Sequence, residues 1–515
     1  MQSRYPGRSK TVPASLNKPT MLRRGKWQDS EAARRVVKRD TEYLSYISKR
    51  RLYVHECRRL RFALHEKDVS TEQQTRSRGV SATNSVLASP AAEESRKLLR
   101  PLKDDLLRLL RELIRVNTVA VPPNGNETPA QLILRDFLRE KNVPTELYEV
   151  AFVTRSRNRW KRRDRNYAGR KNLVARLHGS GRGKSLLLNG HIDTVPAGRA
   201  PWSVSPWSGD RRNGRIYGLG SFDMKGGLVA QVGVLCALKK AGLRLGGDVI
   251  FESVVDEEWG GGGGTLAARL RGDSADACVV SEGTQLEIYR ATRGGFVVDL
   301  IVKAGDPTSY FSQNEVLSPA IPLGRLLRWV DSWSKRRNKL RKLGAYNKFP
   351  DPAPVQVLAI EANRLDPEIP LSVPSSASLR LYFQFLPHED VCAVLEDIRE
   401  SLRVFERADP FFRHNSIAWR PLLGSPLLGH ELPLNHPWSQ CMVKSVGAAL
   451  LKKPVVTAAP YPCDAFLIHC EFGIPTLLFG PRGGGAHNPN EYVEAESVTQ
   501  TSCALLTAAL EWCCG

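Results

Sequence analysis

The sequence predicts an α/β fold, with a mixed sheet flanked by helices and a smaller α+β domain inserted into it. Three observations carry that prediction. Short apolar runs such as "NLVARLH" and "SLLLNGHIDTV" have the length and content of buried strands, and they alternate with helix-length segments. After about residue 293 the texture changes: "GGFVVDLIVKAG" and "ASLRLYFQFLP" alternate as half-exposed strands do. Beyond about 415, α/β segments return in "SQCMVKSVGAALL", "IPTLLFG" and "SVTQTSCALLTAALEW".

Each element follows from local chemistry. Residues 1–95 read as a basic, poorly ordered extension. The first 80 hold 20 Lys/Arg against 8 Asp/Glu, an excess of +12 in a chain whose net charge is +22. Within it, "EAARRVVKRDTEYLSYISKRRLYVHECRRLRFALHEK" fits a basic helix and "DVSTEQQTRSRGVSATNSVLASPAAEES" a polar linker. The larger domain is expected over 96–292. It opens on helically spaced leucines in "ESRKLLRPLKDDLLRLLRELIRV", followed by "TPAQLILRDFLREKN" with a Thr-Pro helix start. "GGLVAQVGVLCALKKAG" is a helix of small residues with a glycine stop. "DVIFESVVDEE" and "DACVVSEGT" read as strands around the helix "TLAARLR". The insertion is expected over 293–412, where "PLGRLLRWVDSWSKRRNKL" and "EDVCAVLEDIRESLRVF" supply helices to one face of a small sheet. The larger domain resumes over 413–515.

Composition excludes several classes. With 42% hydrophobic and 25% charged residues the chain is an ordinary globular protein. No window approaches 18 uninterrupted apolar residues, so no membrane span is expected. The first residues lack the apolar core of a secretory leader. Ten cysteines without a CxxC pair read as reduced thiols of a cytoplasmic protein. The basic clusters "RSRNRWKRRDR" (155–165) and "SKRRNKLRK" (334–342) lack the interleaved aromatics of a nucleic-acid module and read as solvated loops and helix faces.

The stretch "SVVDEEWGGGGG" (253–264) needs a reason, because adjacent carboxylates repel and a glycine run costs backbone entropy. A bound cation supplies one. In "HIDTV", His191 and Asp193 lie on one side of an extended chain, so His191 can hold a metal through one nitrogen while Asp193 accepts the proton of the other. "YGLGSFDMKGG" sets Asp223 in a glycine-flanked turn before a helix. Glu257 and Glu258 leave a strand end in different directions, so one can face an ion while the other handles a proton. "VVSEGT" adds Glu282 after a strand, and "GPRGGGAHNPNEYV" adds His487 in a glycine-rich loop. Ends of strands are where an α/β sheet places its site. Two imidazoles and three carboxylates suit two zinc-like ions that share one carboxylate. The glycines would then let the loop fold close to the substrate.

Taken together, "LLLNGHIDTVPAG", "GRIYGLGSFDMKGGLVA", "DEEWGGGG" and "PCDAFLIHCEFGIPTLLFGPRGGGAHNPNEYV" resemble the acetylornithine deacetylase/succinyl-diaminopimelate desuccinylase family of zinc aminoacylases and carboxypeptidases. The resemblance covers about residues 100–515. It implies a zinc-exopeptidase-like sheet with a ferredoxin-like lid that mediates a homodimer. It implies two divalent ions, Zn2+ first, with Co2+ or Mn2+ as alternatives. His191 and Glu282 would hold one, Glu258 and His487 the other, and Asp223 would bridge them. Asp193 would support His191, Glu257 would be the general base, and the Asp223–Met224 peptide would be cis. The substrate would be an N-acyl amino acid or a small peptide-like amide, with no membrane or nucleic-acid partner. Two departures stand out. Thr308 or Ser309 occupies the region of the family's lid histidine, and Gln384 that of an arginine which grips a substrate carboxylate. They motivate an alternative, a metal-retaining binding protein with little catalysis.

Overall fold

The computed structural model describes residues 89–303, 318–340, 344–362, 373–422 and 425–514. Most of the expected extension over 1–95, and Thr308 and Ser309, lie outside the described residues. The helix Pro90–Leu99 begins inside the stretch read as a linker. Ser89 Oγ accepts the Ala92 N–H at 3.2 Å and Pro90 takes the first position, which needs no donor. The leucine-rich segment is two helices rather than one. A 3-10 turn, Arg100–Leu102, separates Pro90–Leu99 from Lys103–Arg115, because Pro101 interrupts the hydrogen-bond ladder.

The central sheet has eight strands. Their order is Val456–Thr457, Ile288–Tyr289, Thr476–Leu478, Ala277–Val280, Leu186–His191, Val249–Val254, Lys171–Leu177 and Thr145–Glu149. Four neighbours in the middle, Thr476–Leu478 through Val249–Val254, run parallel, and the flanking pairs include antiparallel ones. The sheet is therefore mixed, as expected. Strands Leu186–His191 and Val249–Val254 are buried at every residue, which explains the apolar runs that open them, Leu186 to Leu188 and Val249 to Phe251.

Helix Gly226–Lys240 is buried on all sides except its last two lysines. With the preceding turn it forms a stretch, Ser221–Lys240, long and apolar enough to cross a membrane, but nearly all of it is buried inside the fold. Small residues allow this: Gly233 faces Ser502, where a Cβ would come within 2.8 Å of Oγ.

Where the insertion is expected, the chain forms a four-stranded antiparallel sheet in the order Val355–Ala362, Ser376–Phe385, Gly294–Lys303, Ala418–Pro421, with helices Ala320–Leu340 and Val391–Ala408. Two strands were not legible in the texture. Val355–Ala362 is an edge strand mostly exposed to solvent, so it lacks a clean alternation. The short Ala418–Pro421 lies past residue 412 and pairs with Gly294–Lys303.

Candidate active site

The parallel strands deliver their following residues to one edge of the sheet. His191 ends Leu186–His191, Glu257 and Glu258 follow Val249–Val254, and Glu282 follows Ala277–Val280. Asp223 sits in the turn before helix Gly226–Lys240, and its peptide bond to Met224 is cis, as the resemblance implies.

These side chains meet. Asp223 divides its carboxylate between two imidazoles. Oδ1 lies 3.2 Å from His191 Nε2, and Oδ2 lies 3.2 Å from His487 Nε2. His191 Nε2 is also 3.7 Å from Glu282 Oε1 and 3.9 Å from Glu257 Oε2, while His487 Nε2 is 3.1 Å from Glu258 Oε2. Two ligands bound about 2.0–2.1 Å from a tetrahedral ion lie about 3.3 Å apart. The pairs around Asp223 have that spacing. The ligand atoms of His191, Asp223 and Glu258 lie within 4.8 Å of one another, and so do those of His191, Glu257 and Glu282.

The electrostatics also fit cations. Burial pushes the carboxyls of Glu257, Glu258 and Glu282 above their usual range. Burial acts on Asp223 in the same sense, but the His191 and His487 imidazoles outweigh it and hold that carboxyl low. The Glu258 carboxylate is the main cause that raises His487, to about 12. Four carboxylates on two imidazoles leave an excess of negative charge that divalent ions would neutralise.

The expected His191–Asp193 pairing takes a different form. His191 Nδ1 lies 3.0 Å from the backbone oxygen of Asp193 and 3.6 Å from its carboxylate. The carboxylate accepts the backbone N–H groups of Glu257 and Glu258, each at 3.2 Å. Asp193 thus orients His191 through its carbonyl and the two glutamates through its side chain.

The acidic triplet separates into different tasks. Asp256 is fully buried, at φ +68°, and its side-chain partners among the described residues are arginines and a tyrosine rather than an imidazole. Arg165 pairs with its Oδ1, Arg170 Nη2 donates to the same oxygen at 3.2 Å, and the Tyr167 hydroxyl donates to Oδ2 at 2.6 Å. Arg162 Nη1 donates to the Trp259 carbonyl at 2.8 Å. The basic run 155–165 is therefore not a solvated face at Arg162 and Arg165, which are 8% and 6% exposed. The glycines meet a packing demand within the protein. Gly261, at φ +65°, would place a Cβ 1.9 Å from Asp464 Oδ1, and Gly263 would place one 2.1 Å from the Tyr167 ring. The run lets the loop pass between Asp464 and the 160–167 segment. Asp256→Asn leaves the buried Arg165 guanidinium without its carboxylate, while Arg170 keeps Glu127. A loss of about 3–5 kcal/mol is expected, read as a lower denaturant midpoint.

Glu491 was missed by sequence reasoning. Its Oε1 accepts the N–H groups of Phe222 (2.8 Å) and Asp223 (2.9 Å), and its Oε2 that of Gly220 (2.7 Å). It fixes the Asp223 turn from four residues beyond His487, and that proximity to "HNPNE" was the available signal. Gln384 does not face the site. Its Oε1 accepts from Arg293 Nη1 at 3.0 Å. His388 pairs with Glu431 and His430 is buried against Thr292, while His436 caps helix Pro437–Leu450.

The group opens into a cavity of about 220 Å³, walled further by Phe222, Gly283, Tyr461, Pro462, Cys463 and Ala486. The model for peptidase family M20/M25/M40 matches residues 187–512. The chain belongs to this family. The M20 assignment agrees with the resemblance read from the motifs, and the chain is a metal-dependent hydrolase of amide or peptide bonds. Among relatives, the N-formyl-4-amino-5-aminomethyl-2-methylpyrimidine deformylase of Halalkalibacterium halodurans is 28% identical over 433 residues, covering 80% of this chain and 95% of that protein. The succinyl-diaminopimelate desuccinylase of Roseobacter denitrificans is 24% identical over 407 residues, covering 77% and 95%. Human carnosine dipeptidase 1 shares the fold, with a TM-score of 0.64 at 16% identity over 83% of this chain and 100% of that one.

Proposed function

We propose that the protein cleaves the amide bond of an N-acyl amino acid or small peptide-like N-acylamine, with water as nucleophile and two divalent cations at the site. One observation carries the proposal: the Asp223 carboxylate is split between His191 and His487, with Glu257 beside the first imidazole. His191 and Glu282 would hold one ion, His487 and Glu258 the other, and Asp223 both, with Zn2+ favoured by the N/O donor set and Co2+ or Mn2+ as substitutes. Bound there, such ions polarise a carbonyl and lower the pKa of water towards neutrality. Glu257 then removes the water proton and returns it to the leaving nitrogen as the C–N bond breaks. Asp193 and the Asp464 N–H, which donates to Glu257 Oε1 at 3.2 Å, keep Glu257 in place.

Two further points belong to the same reading. Val357, Leu358 and Ile360 are exposed on the edge strand Val355–Ala362, which supports pairing of two copies through the inserted domain. A sedimentation mass of one chain would remove that point. Free thiols at all nine described cysteines support a reducing, cytoplasmic setting, which localisation of the tagged chain checks.

The test is hydrolysis of a panel of N-acetyl, N-succinyl and N-formyl amino acids, dipeptides and the N-formyl aminomethylpyrimidine. It is run with Zn2+, with Co2+ and with a chelator. Amine release that requires metal is expected on at least one member. Two bound ions with no turnover on any member would move the reading to a metal-retaining binding protein.

A further inference from the structure

Arg293 stands where the chain passes into the inserted domain, between the short strand Ala291–Thr292 and Gly294–Lys303. It is 4% exposed, and among the described residues its acceptors are all neutral. Nη1 donates to Gln384 Oε1 at 3.0 Å and to the Pro460 carbonyl at 3.1 Å, and Nη2 donates to the Asp351 carbonyl at 2.9 Å. The guanidinium lies 5.2 Å from the ring centroids of both Tyr346 and Phe349. Tyr346 is fully buried, and its hydroxyl donates to the Ala459 carbonyl at 2.8 Å. Two consecutive carbonyls, of Ala459 and Pro460, are thus held by these two side chains.

The residues that follow are the site. Tyr461, Pro462 and Cys463 wall the cavity, and the Asp464 N–H reaches Glu257. A buried guanidinium without a carboxylate partner carries a heavy desolvation cost. Its planar fork repays that cost by holding three segments at once, which a lysine ammonium does with far less directionality.

We infer that Arg293 and Tyr346 are positioning residues through which the inserted domain sets segment 459–464, and with it the cavity wall and the hydrogen bond on Glu257. The inference rests on the proposed role of Glu257. Neither residue lines the cavity, so their effect passes through the backbone of 459–464.

The experiment uses the full-length, metal-loaded chain with whichever panel member it hydrolyses. Tyr346→Phe removes one hydroxyl and keeps the ring under Arg293; Arg293→Lys keeps the charge and loses the fork. Each is expected to lower kcat about tenfold with KM changed less than about twofold, since small displacements of catalytic groups act on the chemical step. Hydrogen–deuterium exchange at the Asp464 amide is expected to quicken about tenfold in both, with or without metal, because local opening there becomes easier. Unchanged kcat together with unchanged Asp464 exchange in Tyr346→Phe would overturn the inference and leave both residues as packing elements. If Arg293→Lys fails to fold, Tyr346→Phe decides alone. Glu257→Gln, run alongside, separates the two readings. Full turnover in that variant would sink the general-base role, while exchange at Asp464 still decides whether the two residues hold the segment.

Discussion

Glu257→Gln is expected to lower kcat by about 10²–10⁴, the range that general acid–base catalysis contributes, with both cations still bound. The amide keeps the shape of the side chain. Its carbonyl can still accept the Asp464 N–H that reaches Glu257 Oε1 at 3.2 Å, and Asp193 still accepts the backbone N–H of residue 257. The residues proposed to hold the first ion, His191, Glu282 and Asp223, are untouched, as are Glu258 and His487, proposed for the second. What is lost is the capacity to take a proton from water and return it. Metal content after gel filtration and steady-state rates on the same preparation check this. A fully loaded variant turning over near the wild-type rate would show that another group handles the proton.

Asp223→Ala should act differently, removing metal as well as activity. Each Asp223 oxygen lies 3.2 Å from a different imidazole, so one truncation damages both sites at once. The turn that carries it is held independently, through the backbone N–H groups that Glu491 accepts at Gly220, Phe222 and Asp223. The chain is therefore expected to fold. An ion at about a hundred times its Kd stabilises a folded protein by about 2.7 kcal/mol. That added stability, measured as the difference in melting temperature with and without Zn2+, is expected in the wild type and not in the variant. Two ions retained in Asp223→Ala, with the same thermal gain, would refute the bridging role.

The strands and helices around the central sheet were legible because burial on both faces leaves apolar runs such as Leu186 to Leu188, and helix Gly226–Lys240 is followed by its own glycine stop. The edge strand Val355–Ala362 was not, since exposure removes the alternation that marks a half-buried strand. Ala418–Pro421 is too short to carry a period. The leucine pattern continues across Pro101 and hides the helix break that the proline imposes.

By itself the sequence determined the family and which side chains would meet at the sheet edge. His191 ends a strand, Glu257, Glu258 and Glu282 follow strands, and Asp223 and His487 lie in turns, and a strand end or turn is a local property. Only the tertiary structure decided that Asp256 belongs to Arg165 and Arg170 rather than to the imidazoles, partners 91 and 86 residues away. It alone decided that the glycine run makes room for Asp464 and Tyr167, and that Gln384 serves Arg293. The physical reason is common to all three. A charge or a missing Cβ marks a cost in the sequence, but what offsets that cost is a partner brought close by burial of the whole chain, and no local pattern encodes it.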